Sequence, residues 1–137
     1  MTIVVCLRIA GALLLLLACS HVAFPKRFNW AEELPRLSLL NRQMFLVHTF
    51  FIALLLAFMG ILSLVFSEAL VEQSRLGQVV LAGLTIFWGT RLVFQWFVYD
   101  RSLWRGQPFN TWVHFTFTAL WIYLTSVYGW ALVLQFR

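Results

Sequence analysis

Four apolar runs, each long enough to cross a lipid bilayer, limit what this chain can fold into. They occupy residues 2–24, 44–66, 76–99 and 110–135. The first is broken only by Arg8 and the third only by Arg91, while the second and fourth carry no formal charge. About 20 apolar residues are enough to span some 30 Å of hydrocarbon as a helix. Barrel strands would be shorter and would alternate in polarity, and these runs are apolar on nearly all sides. With no water to satisfy the backbone, a helix is the conformation left to them.

Composition agrees. Hydrophobic residues make up 62% of the 137 and charged residues 11%, against about 25% charged in an ordinary soluble domain. A soluble fold this short leaves too much surface in water to hide so many apolar side chains. The formal charge is +5. The basic residues fall in short gaps between apolar runs, not along one polar face, so they point to membrane topology and anionic headgroups and not to nucleic acid.

Short connections force neighbouring spans to alternate in direction. The expected fold is all-α, a polytopic membrane protein built as an antiparallel up-down-up-down bundle of four transmembrane helices in one membrane domain. The first connection, 25–43, is expected to hold a short interfacial helix at about 30–34. Asn29 with Glu32 would form its capping box and Pro35 would end it. Asn41 is expected to cap the second span. Gly11, Ala18, Gly83 and Gly89 offer places for close helix approach. No appended soluble domain is expected.

Charge sets the orientation. Lys26, Arg27, Arg36, Arg42, Arg101 and Arg105 fall in the first and third connections, and only Arg8, Arg75 and Arg137 on the other side. By the positive-inside rule those two connections face the cytoplasm, with both termini on the non-cytoplasmic side of a cell inner membrane. Trp30, Trp96, Trp104 and Trp112 fall near the cytoplasmic boundary, and Tyr128 and Trp130 near the other, as an aromatic belt would. Leu16-Leu17-Ala18-Cys19 offers a competing reading as a lipoprotein cleavage site, which Lys26 and Arg27 disfavour. Cys6 and Cys19 lie thirteen residues apart on one expected helix, a rise of about 20 Å that rules out a disulfide between them.

Polar residues inside the runs carry what chemistry there is. His21, His48 and His114 come from three spans and are expected at similar depth near the cytoplasmic boundary. Two of them could ligate a haem, or all three a transition metal, with Asp100 as a carboxylate partner. A structural role for each is the competing reading. Arg91 and Gln95 lie four residues apart on one face of the third span. An arginine at that depth either braces its own helix or recognises an anionic group such as a phosphate, a carboxylate or a haem propionate. Arg91, Gln95, Asp100 and Thr118 are therefore the candidate ligand-binding residues. On the fourth span His114, Thr118, Trp121 and Thr125 recur at helical spacing and are expected to face other helices. Val47-His48-Thr49-Phe50-Phe51 and Val113-His114-Phe115-Thr116-Phe117 open the second and fourth spans alike, a faint repeat.

Absences narrow the function. No Asp or Glu lies within a run, which argues against a carboxylate proton relay. Glycine-rich phosphate loops and nucleophile-elbow motifs are missing too. These features favour a non-catalytic module over an enzyme. It would be either a subunit of a membrane complex, or homo-oligomer, or a binder of a lipid-like ligand in the bilayer. The alternative is a haem- or metal-binding redox protein.

Leu40-Asn41-Arg42-Gln43, Phe87-Trp88-Gly89-Thr90-Arg91-Leu92 and Val127-Tyr128-Gly129-Trp130-Ala131-Leu132 resemble stretches of an uncharacterised group of small bacterial four-helix integral membrane proteins. The resemblance extends over most of the chain. It implies a four-span bacterial membrane protein and brings no activity.

Overall fold

The computed structural model describes residues 2–104 and 106–137; Arg105 and the side chain of Arg101, both part of the charge count above, lie outside it. Among the described residues there are helices and turns and no strands. Four helices are long and apolar enough to cross a membrane, so the all-α expectation is met and the chain fits a small multi-pass membrane protein.

The helices are α1 (Thr2–Ser20), α2 (Phe24–Arg27), α3 (Trp30–Glu33), α4 (Leu39–Val65), α5 (Ser67–Val71), α6 (Arg75–Phe97) and α7 (Pro108–Leu134), with single 3₁₀ turns at His21–Ala23, Leu34–Arg36 and Arg101–Leu103. They form two compact units. One holds the residues up to Leu7 with Ser67–Arg137, and the other Arg8–Phe66.

Within the Arg8–Phe66 unit, glycine faces glycine. A Cβ on Gly11 would lie 2.6 Å from the Leu64 nitrogen and 2.7 Å from the Gly60 carbonyl oxygen. A Cβ on Gly60 would lie 2.8 Å from the Leu15 side chain and 3.0 Å from the Gly11 carbonyl oxygen. Absence of side chains lets the two backbones touch. The connection between them is helical in short pieces. Pro25 sits in the first turn of α2, where its missing N–H costs nothing. The short helix expected at about 30–34 is α3, and the 3₁₀ turn through Pro35 follows it. Its cap differs from the expected box. Asn29 adopts a left-handed backbone (φ 49°) and its amide donates to the Glu32 carboxylate at 2.6 Å, with no side-chain bond to a backbone N–H. Trp30 packs edge-on against Phe45, ring centroids 4.9 Å apart.

The second span starts earlier than its apolar run. Ser38, not Asn41, caps α4, and its hydroxyl accepts from the Asn41 N–H at 3.4 Å. A polar first turn therefore stays helical ahead of the hydrocarbon-length segment. Ser74 starts α6 in the same way, accepting from the Gly77 N–H at 3.0 Å.

In the other unit α6 and α7 run antiparallel. Near one end Gln95 meets His114, and near the other Gln135 meets Ser74. Leu81, Leu84 and Trp88 on α6, and Trp121, Leu124, Tyr128 and Ala131 on α7, are buried at steps of three and four. That is the stripe a packed helix pair needs. Glycine and threonine alternate across the pair. The Thr125 methyl lies 3.7 Å from a Cβ built on Gly89, and the Thr85 methyl 3.6 Å from one on Gly129. Gly83 has no neighbour within 4 Å of such a Cβ, so it is not the close-approach point expected of it. Cys6 and Cys19 are both free, with α1 unbroken between them. The Cys6 carbonyl accepts from the Tyr123 hydroxyl at 3.0 Å.

Candidate functional site

The polar residues of α6 and α7 gather around one amide. Gln95 is 6% exposed, so its donors and acceptors need protein partners. Its Oε1 accepts from Trp121 Nε1 at 3.3 Å and from Arg91 Nη1 at 3.4 Å. Its Nε2 donates to His114 Nδ1 at 2.9 Å. Helical spacing places these groups. Arg91 and Gln95 lie four residues apart on one side of α6, with Tyr99 just past its end, and His114 and Trp121 lie seven apart on one side of α7.

The turn before α7 sets the last wall. Asn110 donates to the Leu103 carbonyl at 2.8 Å, and the Thr111 hydroxyl to the Trp104 carbonyl at 2.8 Å. These bonds bring Trp104 onto the His114 imidazole, the rings stacked at 4.0 Å and 19°. A shallow groove lined by Gly106, Gln107, Pro108, Thr111 and Trp112 lies beside it.

Arg91 lies on aromatic surface. Its guanidinium carbon is 4.9 Å from the centre of the Trp121 ring and 5.5 Å from that of Tyr99. Nη2 donates to the Tyr99 hydroxyl oxygen at 3.4 Å. Both its hydrogen bonds are at the long end of the normal range. Among the described residues no carboxylate pairs with it. Trp121 continues inward as a stack, with Trp88 at 5.1 Å and 14° and Phe117 at 5.5 Å and 24°. Trp88 is 1% exposed and its indole N–H has no partner among the described residues.

Three of the expected residues, Arg91, Gln95 and His114, thus share one network. The other candidates have local partners. The Thr118 hydroxyl donates to the His114 carbonyl at 2.8 Å. Asp100 is exposed and accepts the Ser102 N–H at 2.7 Å, and the Ser102 backbone and side chain hold its carboxyl below the usual aspartate value. His21 Nδ1 bonds the Leu17 carbonyl at 2.9 Å and its ring packs on Phe24, while His48, exposed on α4, has its Nδ1 on the Met44 carbonyl at 2.7 Å. Among the described residues no group of three or more His, Cys, Asp or Glu is gathered so as to hold a metal ion. Spacing in the sequence gives a signal for Tyr99, four residues beyond Gln95, and for Trp121, which shares a helical stripe with His114. Trp104 had no such signal, because a turn and not a helix face brings it in.

Comparison with protein-family models, with curated proteins and with solved structures gave no match.

Proposed function

We propose that this protein is a non-catalytic membrane module that binds an anionic amphiphile, with the acidic head seated on Arg91. One observation carries the reading. Arg91 is a permanent cation on a hydrophobic helix, held against two aromatic rings by two hydrogen bonds of 3.4 Å, and no described carboxylate neutralises it. An intramembrane arginine is costly unless paired or hydrated, and its planar fork suits phosphate and carboxylate oxygens.

In this reading the end of α6 and the start of α7 face the cytoplasm across a bacterial inner membrane and both termini lie on the other side, an orientation that the excess of Lys and Arg in the first and third connections supports. The reading needs no acid-base residue, in keeping with spans that contain no Asp or Glu.

The test is lipid retention. Protein purified in detergent, then offered phosphatidylglycerol and phosphatidylcholine in equal amounts, is examined by native mass spectrometry. Wild type retains phosphatidylglycerol selectively. Arg91→Gln weakens that retention by about tenfold, which corresponds to the ~1.4 kcal/mol at the low end of a charged hydrogen bond, and Arg91→Lys keeps part of it. Equal retention by wild type and Arg91→Gln would overturn the proposal.

A further inference from the structure

We propose that the bound head is an oxyanion held by two donors, the Arg91 guanidinium and the His114 Nε2–H, and that Gln95 is the positioning residue that orients the first and fixes the proton of the second on Nε2. The inference rests on the anion-binding reading and names the chemistry of its ligand.

The direction of the hydrogen bonds carries it. A guanidinium and an indole nitrogen can only donate. Both Arg91 Nη1 and Trp121 Nε1 meet the same end of the Gln95 side chain, at 3.4 and 3.3 Å, so that end is the amide oxygen. The other end is the NH₂ group, 2.9 Å from His114 Nδ1. A donor facing Nδ1 requires a lone pair there. The ring is then the neutral tautomer with its proton on Nε2. Trp104, stacked at 4.0 Å, fixes the plane of the ring. Nε2 has no hydrogen-bond partner among the described residues.

The remaining valences all have one polarity. Arg91 has N–H groups beyond the two in use. His114 offers Nε2–H. Tyr99 accepts from Arg91 through its oxygen at 3.4 Å, which leaves its own hydroxyl proton to give. The Gln95 oxygen already takes two donors. A site that offers donors and a positive charge, with its acceptors used up, matches the oxygens of a phosphate or carboxylate. It offers an ammonium head no free acceptor, and the Arg91 charge already on the Tyr99 and Trp121 rings repels a choline head.

The test is nitrogen NMR of the full chain labelled with ¹⁵N-histidine in phosphatidylcholine nanodiscs, His114 being assigned by its loss in His114→Gln. The expected ligand-free spectrum shows His114 as the neutral Nε2–H tautomer. Two probes separate the sources of the oxyanion. Phosphatidylglycerol added to the discs shifts His114 Nε2 if the head belongs to a lipid, and inorganic phosphate shifts it if the anion comes from solution; a shift with either supports the two-donor site. The Nδ1–H tautomer, or no Nε2 shift with either probe, overturns it. Gln95→Glu turns Nδ1 into a donor and neutralises Arg91, so the shift is lost; a shift that survives in Gln95→Glu removes Gln95 from its role. Failure of the two readings is distinguishable. If Arg91→Gln loses selective retention of phosphatidylglycerol while wild-type Nε2 is unmoved, anion binding stands and the histidine donor falls. If Arg91→Gln retains the lipid, the underlying reading falls.

Discussion

Gln95 donates to His114 Nδ1 over 2.9 Å and so ties the last turns of α6 to the second turn of α7. The same buried amide also accepts from Trp121 and Arg91. One side chain therefore satisfies three polar groups that would otherwise sit in an apolar interior, and that concentration makes it sensitive to substitution.

Gln95→Leu keeps most of the volume and removes every one of those bonds. The expected loss is about 1–2 kcal/mol of stability, since the partners are left unpaired where water does not reach freely, and membrane-embedded hydrogen bonds fall at the lower end of such values. Unfolding in mixed detergent micelles against added dodecyl sulfate measures it. In a double-mutant cycle with His114→Phe the two losses are non-additive, because they remove one shared bond. Strict additivity would show that the contact contributes nothing.

The glycines divide into two kinds. A methyl group on Gly11 meets backbone atoms of Gly60 and Leu64 at 2.6 to 2.9 Å, and backbone cannot swing aside. Gly11→Ala is expected to cost about 1–3 kcal/mol, the range for overpacking a tight contact. A methyl group on Gly83 meets nothing within 4 Å, so Gly83→Ala leaves stability unchanged or raises it by up to about 1 kcal/mol through helix propensity. The same unfolding titration compares the two. A Gly11→Ala protein as stable as Gly83→Ala would refute the distinction.

That distinction marks where the sequence stopped being readable. Lipid selects long apolar runs, so the four long helices were legible from composition alone. Their starts were not, because serine hydroxyls and not the apolar pattern begin α4 and α6: Ser38 and Ser74 sit outside the runs. Gly11 was a reasonable close-approach residue, but its partner Gly60 depends on which turns of two helices cross. Gly83 looked equivalent and is open. Arg91 and Gln95 were found by spacing on one helix. Their link to His114 needed the register between α6 and α7, and Trp104 needed the turn that carries it. Gln135 was read only as the end of an apolar run, and its contacts come from residues some sixty positions away.

Asp100 gives a prediction in pH. Its carboxyl lies below the ordinary aspartate value because the Ser102 backbone N–H and hydroxyl bond its charged form. A carboxyl depressed in the folded state stabilises the fold above its unfolded value of 3.8, and that contribution fades as pH falls through the lower folded value. The effect is local, since the group is fully exposed. The protection factor of the Ser102 amide in hydrogen exchange, corrected for intrinsic rate, is expected to fall with acidification through that window and to be low at every pH in Asp100→Ala. A protection factor that stays constant across the window in wild type would contradict the assignment.

Gln135 closes the opposite end of the same helix pair. It is 3% exposed, and its Nε2 donates to the carbonyls of Leu70 at 2.7 Å and Glu72 at 2.9 Å. Its Oε1 accepts from the Ser74 N–H at 3.1 Å. These are the backbone groups that the end of α5 and the start of α6 leave without helical partners. Gln135→Leu keeps the bulk and strands all three, so about 1–3 kcal/mol of stability is lost. Gln135→Glu fails differently, because it still accepts from Ser74 but sets a carboxylate oxygen against two carbonyl oxygens. The sharpest readout is again local. Hydrogen exchange across residues 67–78 should rise in Gln135→Leu while exchange near Gln95 is unchanged, because the two amides hold opposite ends of α6. Unaltered exchange at Ser74 would mean that the turn is held by its own backbone and that Gln135 merely fills space.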